Sequence, residues 1–330
     1  MEKYQTPKHS LKNSILTQLK NATDYISGEQ LSGNLHVSRT AVWKHIQELK
    51  KDGYVIDSVT NRGYKLQSSP DTISLVEVQS RLQVRVFGHK YCHYETLEST
   101  NTTAKKFAEL GEPEGTVVVA EQQTHGKGRM GRQWASPKGR GIYFSLIIRP
   151  KIPVMQAPQL TLVVATVIAE AIREQYAVPA TIKWPNDIVV NGKKLCGILV
   201  EMSSDMDQIH HAVIGIGVNA NNTREELPEV VTQWTPTSLY LETGSPIDRA
   251  HFTVYVIEQL ERAYEMYLMS GFRPFRSKWE SMAYSIGNEI TITMVGETIR
   301  GILLGIEDSG ALVIEENGIK RTIHSGEIII

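Results

Sequence analysis

The sequence predicts an α+β multidomain protein: an N-terminal winged helix-turn-helix over residues 1–68, a central mixed α/β domain over 69–284, and a small C-terminal β-barrel over 285–330. Three observations carry this division. Short helical periods with cap signals fill the chain up to Gly53. After a polar stretch, apolar strand-like runs alternate with helical ones. Beyond Tyr284 the pattern shortens to alternating strands separated by turns. At 330 residues the chain can hold two or three domains with real cores, and 41% hydrophobic with 22% charged residues is an ordinary water-compatible composition.

In the first domain, Leu11 to Leu19 places Ile15, Leu16 and Leu19 on one helical face. Ser27 with Gln30 three residues on reads as a capping box for a second helix that Gly33-Asn34 ends. Ser38 caps a third helix whose Val42, Ile46 and Leu49 face inward. Tyr54–Ile56, a polar turn at Asn61-Arg62-Gly63, and Tyr64–Leu66 form a hairpin wing. The outer side of the third helix shows Ser38, Arg39, Thr40, Lys44 and Gln47, residue types that touch phosphates and base edges, and Arg62 lies in the wing. The same pattern also suits a small helical adaptor. Charge favours nucleic acid: residues 1–66 hold ten Lys and Arg against six Asp and Glu, so +4, while residues 67–330 hold 25 against 30, so −5.

Gln67–Thr72 reads as a polar linker. Strands are expected at Val86–Tyr94, Thr116–Glu121, Ile142–Ile148, Thr181–Trp184, Leu195–Met202 and Ala212–Val218, and helices at Thr100–Leu110, Ala157–Tyr176, Asp248–Met269 and Phe272–Met282. The last domain offers strands at Glu289–Met294, Thr298–Leu304, Ala311–Ile314, Ile319–Ile323 and Glu327–Ile330. Two cysteines make no disulfide framework, no apolar leader opens the chain, and the longest apolar run, Leu160 to Ala169, is too short for a bilayer. These point to a cytoplasmic protein without membrane contact. The ten histidines show no metal-ligand spacing.

The chemistry concentrates in one loop, Gln122–Trp134, which follows the apolar Thr116–Ala120 and interleaves Gly126, Gly128 and Gly131 with Lys127, Arg129 and Arg132. No acidic residue occurs between Glu121 and Glu170. Bare backbone amides among cations suit an anion such as a phosphate or carboxylate, although a solvated surface loop has the same composition. It is neither a P-loop nor a dinucleotide fingerprint in its usual setting. Ser99 stands between strand and helix, as a cap or a ligand contact. Lys183-Trp-Pro-Asn-Asp187 projects Asn186 and Asp187 beside a buried strand, or is plain turn chemistry. Lys193 and Lys194 open a buried strand, where a cation needs an anion to meet it. Gly215-Ile-Gly-Val-Asn219 removes side chains from a strand and suggests close approach of a ligand. No Ser-His-Asp order, cysteine nucleophile or carboxylate pair stands out, so catalysis would rest on positioning and charge neutralisation.

Ser99-Thr-Asn101, the Gly126–Arg132 loop with Trp134, Lys183–Asp187, Lys194-Leu-Cys-Gly197 and Gly215–Asn219, in that order behind a winged helix, resemble the successive motifs of biotin–protein ligases of the bifunctional type that also repress the biotin operon. The resemblance spans essentially the whole chain. It implies that biotin and ATP, with Mg²⁺, give biotinyl-5′-adenylate and pyrophosphate, and that a lysine of a biotin carrier domain then attacks the adenylate. It implies that Ser99, Thr100, Asn101, Gln123, Lys127, Gly128, Arg129, Lys194 and Gly197 contact biotin. Lys127, Arg129, Arg132, Trp134, Lys183, Asn186, Asp187 and Asn219 would meet ATP or the adenylate, with Lys194 and Arg129 at the reacting groups and Asp187 near Mg²⁺. Lys127 departs from the family's usual arginine, keeping the charge without the planar fork. Operator DNA and a ligand-linked homodimer are the implied partners. The alternatives are a lipoate–protein ligase and a non-catalytic metabolite-sensing repressor.

Overall fold

The computed structural model describes residues 11–228, 234–294 and 296–329 and divides the chain into two compact units, residues 1–81 and 82–330. In the first unit, α1 (Leu11–Asn21), α2 (Gly28–Leu35) and α3 (Arg39–Lys51) precede the antiparallel pair β1 (Val55–Val59) and β2 (Gly63–Ser68). Ile15, Leu16, Leu19, Leu31, Val42, Ile46 and Leu49 close one core, as the helical spacing predicts. Ser27 Oγ accepts from Gln30 N at 3.0 Å and the Gln30 carbonyl oxygen accepts from Ser27 N at 2.9 Å, a complete capping box. Helix α2 runs past the expected Gly33-Asn34 stop because His36 supplies the left-handed C-cap. Gly63, with φ of 110°, is required: a Cβ there would lie 2.2 Å from the Ile26 carbonyl oxygen.

The unit continues beyond residue 68, where the sequence places the domain boundary. Gln67 and Ser68 belong to β2, and α4 (Leu75–Gln79) follows. Val76 joins the core, and Lys20 of α1 pairs with the buried carboxylate of Glu77. The apolar residues of α4 thus have a hydrophobic surface to cover, which a linker would lack.

The second unit holds β3 (Tyr91–Tyr94), α5 (Thr100–Glu109), β4 (Val117–Ala120), β5 (Ile142–Ile148), α6 (Ala157–Tyr176), β6 (Thr181–Lys183), β7 (Asp187–Val190), β8 (Lys193–Ser204) and β9 (Ile209–Val218). Helices α7 (Leu239–Thr243), α8 (Arg249–Ser270) and α9 (Arg273–Met282) follow. The strands form one seven-stranded sheet in the order β3-β4-β5-β9-β8-β7-β6, parallel at β3–β4 and antiparallel elsewhere. The strand expected from Val86 begins only at Tyr91. The amides of Arg85, Val86 and Phe87 donate instead to the carboxylate of Glu261 on α8, at 2.8, 2.6 and 2.8 Å, which takes them out of any ladder. Strand β7 is an addition: after the Trp184–Asn186 turn, with its cis Trp184–Pro185 bond, Asp187–Val190 is fully buried. Helix α6 with the preceding turn is long and apolar enough, by length and composition, to cross a membrane, yet most of it is buried against the sheet, α8 and α9.

Strands β10 (Glu289–Met294), β11 (Glu297–Ile306), β12 (Leu312–Glu316), β13 (Ile319–Ile323) and β14 (Glu327–Ile329) make the C-terminal β-domain, a five-stranded antiparallel sheet in the order β13-β12-β11-β10-β14. Ile330 lies outside the described residues. This domain is fastened to the turn after β6 and to α6 by polar contacts: Trp184 Nε1 donates to the Gly310 carbonyl at 3.3 Å, and Gln159 Nε2 to that of Asp308 at 2.8 Å.

Ser27→Ala should destabilise the N-terminal unit by about 1 kcal/mol through loss of the cap. The check is a downward shift of its urea midpoint with the midpoint of the second unit unmoved.

Candidate active site

A cavity of about 890 Å³ opens between the glycine-bearing loop and the strands β7, β8 and β9. Every residue that the sequence nominates for biotin or ATP lines it, with the exception of Lys183. The loop is less irregular than its glycines suggest. Gly128 N donates to Arg132 O, and Trp134 N to Gly126 O, both at 2.8 Å, so Gly126–Trp134 folds back on itself around a turn at Arg129–Gly131.

At one end lies a dense polar network. Ser99 occupies the N-cap position of α5, but its side chain makes no cap hydrogen bond, so the capping role proposed for it fails. Gln123 Oε1 accepts from Thr100 N at 2.8 Å, while its Nε2 donates to Ser136 Oγ at 2.9 Å. Ser145 Oγ donates to Asn101 Oδ1 at 2.6 Å, and Asn101 Nδ2 donates to Glu201 Oε2 at 3.0 Å and to the Leu199 carbonyl at 3.3 Å. The Asn101 amide is therefore spent on the scaffold, and Lys105 holds the other oxygen of Glu201 at 2.9 Å. Hydrogen bonds from Asn101 and Lys105 hold the Glu201 carboxyl below the usual carboxylate range against the opposing effect of its burial, the largest influence. Sequence reasoning missed Ser145, Ser136, Lys105 and Glu201. Ser145 left a signal, as a small hydroxyl inside the apolar and aromatic run Ile142–Ile148; Glu201 left none.

The other end is electrostatic. A bulge at Leu195, where Ile188 pairs with Cys196 and Val189 with Lys194, turns Lys194 toward the cavity while Leu195 and Cys196 stay buried. Backbone bonds Lys194 N→Thr235 O at 2.9 Å and Thr237 N→Lys194 O at 2.8 Å fix it. Its ammonium lies 2.7 Å from Asp187 Oδ1 and 5.6 Å from the Trp134 ring centre. Lys183 is a correction: at 1% exposure it sits behind the wall, 3.8 Å from Asp187 Oδ2, 4.0 Å from Glu327 and 4.4 Å over the Trp234 ring. Desolvation lowers its pKa from the ordinary lysine value. It orders the wall from behind and is absent from the cavity lining. Arg129 Nη1 meets Asn186 Oδ1 at 3.3 Å, and Asn186 Nδ2 donates to the Ile198 carbonyl at 2.7 Å. Arg132 is held by both oxygens of Glu327, at 2.6 and 2.5 Å, a carboxylate that the sequence did not nominate. Asn219 Nδ2 donates to the Thr237 carbonyl at 2.8 Å.

Two lysines already neutralise Asp187, and among the described residues no group of three or more His, Cys, Asp and Glu side chains is arranged to hold a metal. These residues fit a directly bound Mg²⁺ poorly. Neither thiol is a nucleophile here: burial raises Cys92 to about 11 and Cys196 further.

The glycines of β8 and β9 serve the protein before any ligand. A Cβ on Gly215 would lie 2.0 Å from Asn101 Oδ1, and one on Gly217 would lie 2.6 Å from Trp134 Nε1. The Trp134 indole also covers Gly197, where a Cβ would be 3.1 Å from its ring. The space read from the sequence as ligand space at 215 and 217 is thus filled by an amide and an indole.

In the N-terminal unit, Ser38 Oγ caps α3 by accepting from Ala41 N at 3.2 Å, which leaves Arg39, Thr40 and Lys44 as the exposed polar set. Trp43, 56% exposed, stands among them and was not nominated. Arg62 in the wing turn lies 4.2 Å over the Tyr25 ring and 3.4 Å from Asp24.

Gly215→Ala should cost about 1–3 kcal/mol by overpacking, seen as a lower thermal midpoint. Adding Asn101→Ser should recover part of it, because the three nearest atoms to the added Cβ all belong to that amide.

Each part of the chain matches a known family. Residues 12–65 match the helix-turn-helix domain, residues 94–219 the biotin/lipoate A/B protein ligase family, and residues 285–330 the biotin protein ligase C-terminal domain. The chain is 42% identical to the bifunctional ligase/repressor BirA of Bacillus subtilis, over 92% of this chain and 94% of that one. It is 34% identical to the Escherichia coli protein of the same name, over 92% of each. The structure of the biotin protein ligase from Aquifex aeolicus in complex with biotin and ATP superposes with a TM-score of 0.63 at 30% identity, covering 72% of this chain and 97% of that one. The chain belongs to the biotin protein ligase family, in its bifunctional ligase/repressor form.

Proposed function

We propose that this protein activates biotin with ATP, transfers it to a lysine of a biotin carrier domain, and represses transcription as a ligand-linked homodimer on operator DNA. The observation that carries the enzymatic part is Lys194: a fixed ammonium on the cavity wall opposite a cationic loop. A biotin carboxylate oxygen attacks the α-phosphorus, the bond to the β-phosphate oxygen breaks, and pyrophosphate leaves. A neutral carrier lysine amine then attacks the acyl carbon, its nitrogen gives up a proton to water as the amide forms, and AMP leaves with the oxygen that joined the two. In the first step two anions must meet at one oxygen, and Lys194, with Lys127 and Arg129 above it, offsets their repulsion without a proton transfer. Asp187 aims the Lys194 ammonium, and Lys183 keeps Asp187 from swinging away. Gln123 has one amide hydrogen left after Ser136, suited to the ureido carbonyl. Ser99 and Thr100 lie beside it, while Trp134, Arg132, Asn186 and Asn219 line the nucleotide side. Mg²⁺ belongs to this reading as a companion of the ATP phosphates rather than a ligand of Asp187. Buried free thiols suit a reducing interior, and cytoplasmic placement is part of the same reading.

Lys194→Gln removes a charge while keeping the side-chain length, so adenylate formation should slow by about 10²–10³, with a lower thermal midpoint because the buried Asp187 keeps only Lys183 as a cation. A normal single-turnover rate sinks the role. Pyrophosphate–ATP exchange distinguishes the alternatives: exchange with biotin excludes a non-catalytic sensor, and exchange with lipoate instead excludes the biotin assignment.

A chain beginning at Leu82, the start of the second unit, should retain ligation and lose operator binding. In the full chain, biotin plus ATP should tighten operator binding, because two winged helices held by a dimer read two half-sites, and DNA should tighten adenylate binding by the same factor. Operator titration with and without ligands, followed by sedimentation, is the check. Equal binding in all states rules out the corepressor role, and a monomer on the operator rules out the dimer route.

A further inference from the structure

Arg249 opens α8, far along the sequence from the glycine-bearing loop, yet its side chain is fully buried. It does not cap the helix: Asp248 does that, accepting from His251 N at 2.9 Å. Its Nη1 donates to Glu121 Oε2 at 2.9 Å and to the Gly141 carbonyl at 2.9 Å. These two residues are the feet of the loop, since Glu121 ends the run that enters it and Gly141 begins the run that leaves it. Gly139, two residues before Gly141, donates its N–H to Glu121 O at 3.1 Å, closing the base of the loop. A guanidinium out of water is retained only when its donors are met, and Nη1 is met by the two feet, so their separation would leave a buried donor unsatisfied.

We infer that Arg249 is the positioning residue of the anion loop, a clamp that holds both feet so that Lys127 and Arg129 reach the cavity at a fixed height. The inference rests on the proposed role of the loop in closing over the reacting anions. The clamp acts on the backbone at Gly141 and on the carboxylate at Glu121, and touches no ligand. Losing it leaves the sheet paired but lets the loop hinge at its base.

The test uses the full-length protein and three variants, Arg249→Met, Arg249→Lys and Glu121→Gln, with Phe252→Leu on the same helix as a control matched in thermal midpoint. Trypsin cleavage at Lys127, Arg129 and Arg132 without ligand reads the loop directly. Arg249→Met and Glu121→Gln should raise it by about tenfold, corresponding to about 1.4 kcal/mol in local opening. Arg249→Lys should fall between them and the native chain. In turnover, KM for biotin and ATP should rise together by a larger factor than kcat falls, and the adenylate should leave faster. Equal loop cleavage in the clamp variants and the matched Phe252→Leu control overturns the clamp. So does a loss confined to kcat. Should Arg249→Met not fold, Glu121→Gln and Arg249→Lys decide the question alone. Clamp-dependent cleavage in a protein without biotin-dependent exchange upholds the clamp and sinks the proposed reaction.

Discussion

The Asp187 carboxylate is the interaction on which the site depends. It stands at the start of β7, opposite Lys183 in β6 and Gly197 in β8 by strand register, and takes the ammonium of Lys194 at 2.7 Å and that of Lys183 at 3.8 Å. A carboxylate and an ammonium withdrawn from water, Asp187 and Lys183, are tolerable only if each remains close to its opposite. Glu327 of the C-terminal sheet completes the balance by approaching Lys183 and gripping Arg132. The net result is a wall that keeps positive charge facing the cavity without leaving any buried ion alone.

The same balance explains why three segments remote in sequence are needed. The sheet supplies Lys194 through a bulge, the loop supplies Lys127 and Arg129, and the C-terminal domain supplies the carboxylate that steadies Arg132. The glycines of β8 and β9 let Asn101 and Trp134 press against strand backbone, so both ends of the cavity are shaped by side chains that fit only where a Cβ is missing. At the polar end, Asn101 is fixed by Ser145, Leu199 and Glu201, and its rigidity passes to Thr100 and Gln123 beside it. Preorganised dipoles of this kind do not have to reorient when charge develops, which is how a site without a nucleophile can still accelerate a reaction.

The N-terminal unit solves a different problem with ordinary means. A small three-helix core, a capping box and a wing anchored by Ile26 and Tyr64 hold one helix face outward. On that face Arg39, Thr40, Trp43 and Lys44 are exposed, while Ser38 and Arg62 are partly occupied by the fold itself, one as a cap and the other over Tyr25. Charge and exposure on one helix suit a polyanion more than a protein partner.

The sequence by itself determined the elements with strong periodicity or strong punctuation: α3, α6, α8, the capping box and the alternating strands of the C-terminal domain. It also nominated many of the residues that line one cavity, because their order along the chain matches a family with specific motifs. Tertiary structure alone decided the rest, for a common reason: the partner lies far away in the chain. Val86 and Phe87 read as strand but lose their ladder to Glu261, and α4, just past the stretch read as linker, joins the N-terminal unit because α1 offers it a surface. Asp187–Val190 pairs as a strand only because Lys183 and Gly197 lie beside it. Lys183 and Lys194 look equivalent in sequence, and only burial separates the structural cation from the one facing the cavity. Local propensity travels a few residues, whereas desolvation and charge balance are settled between segments that meet only after folding.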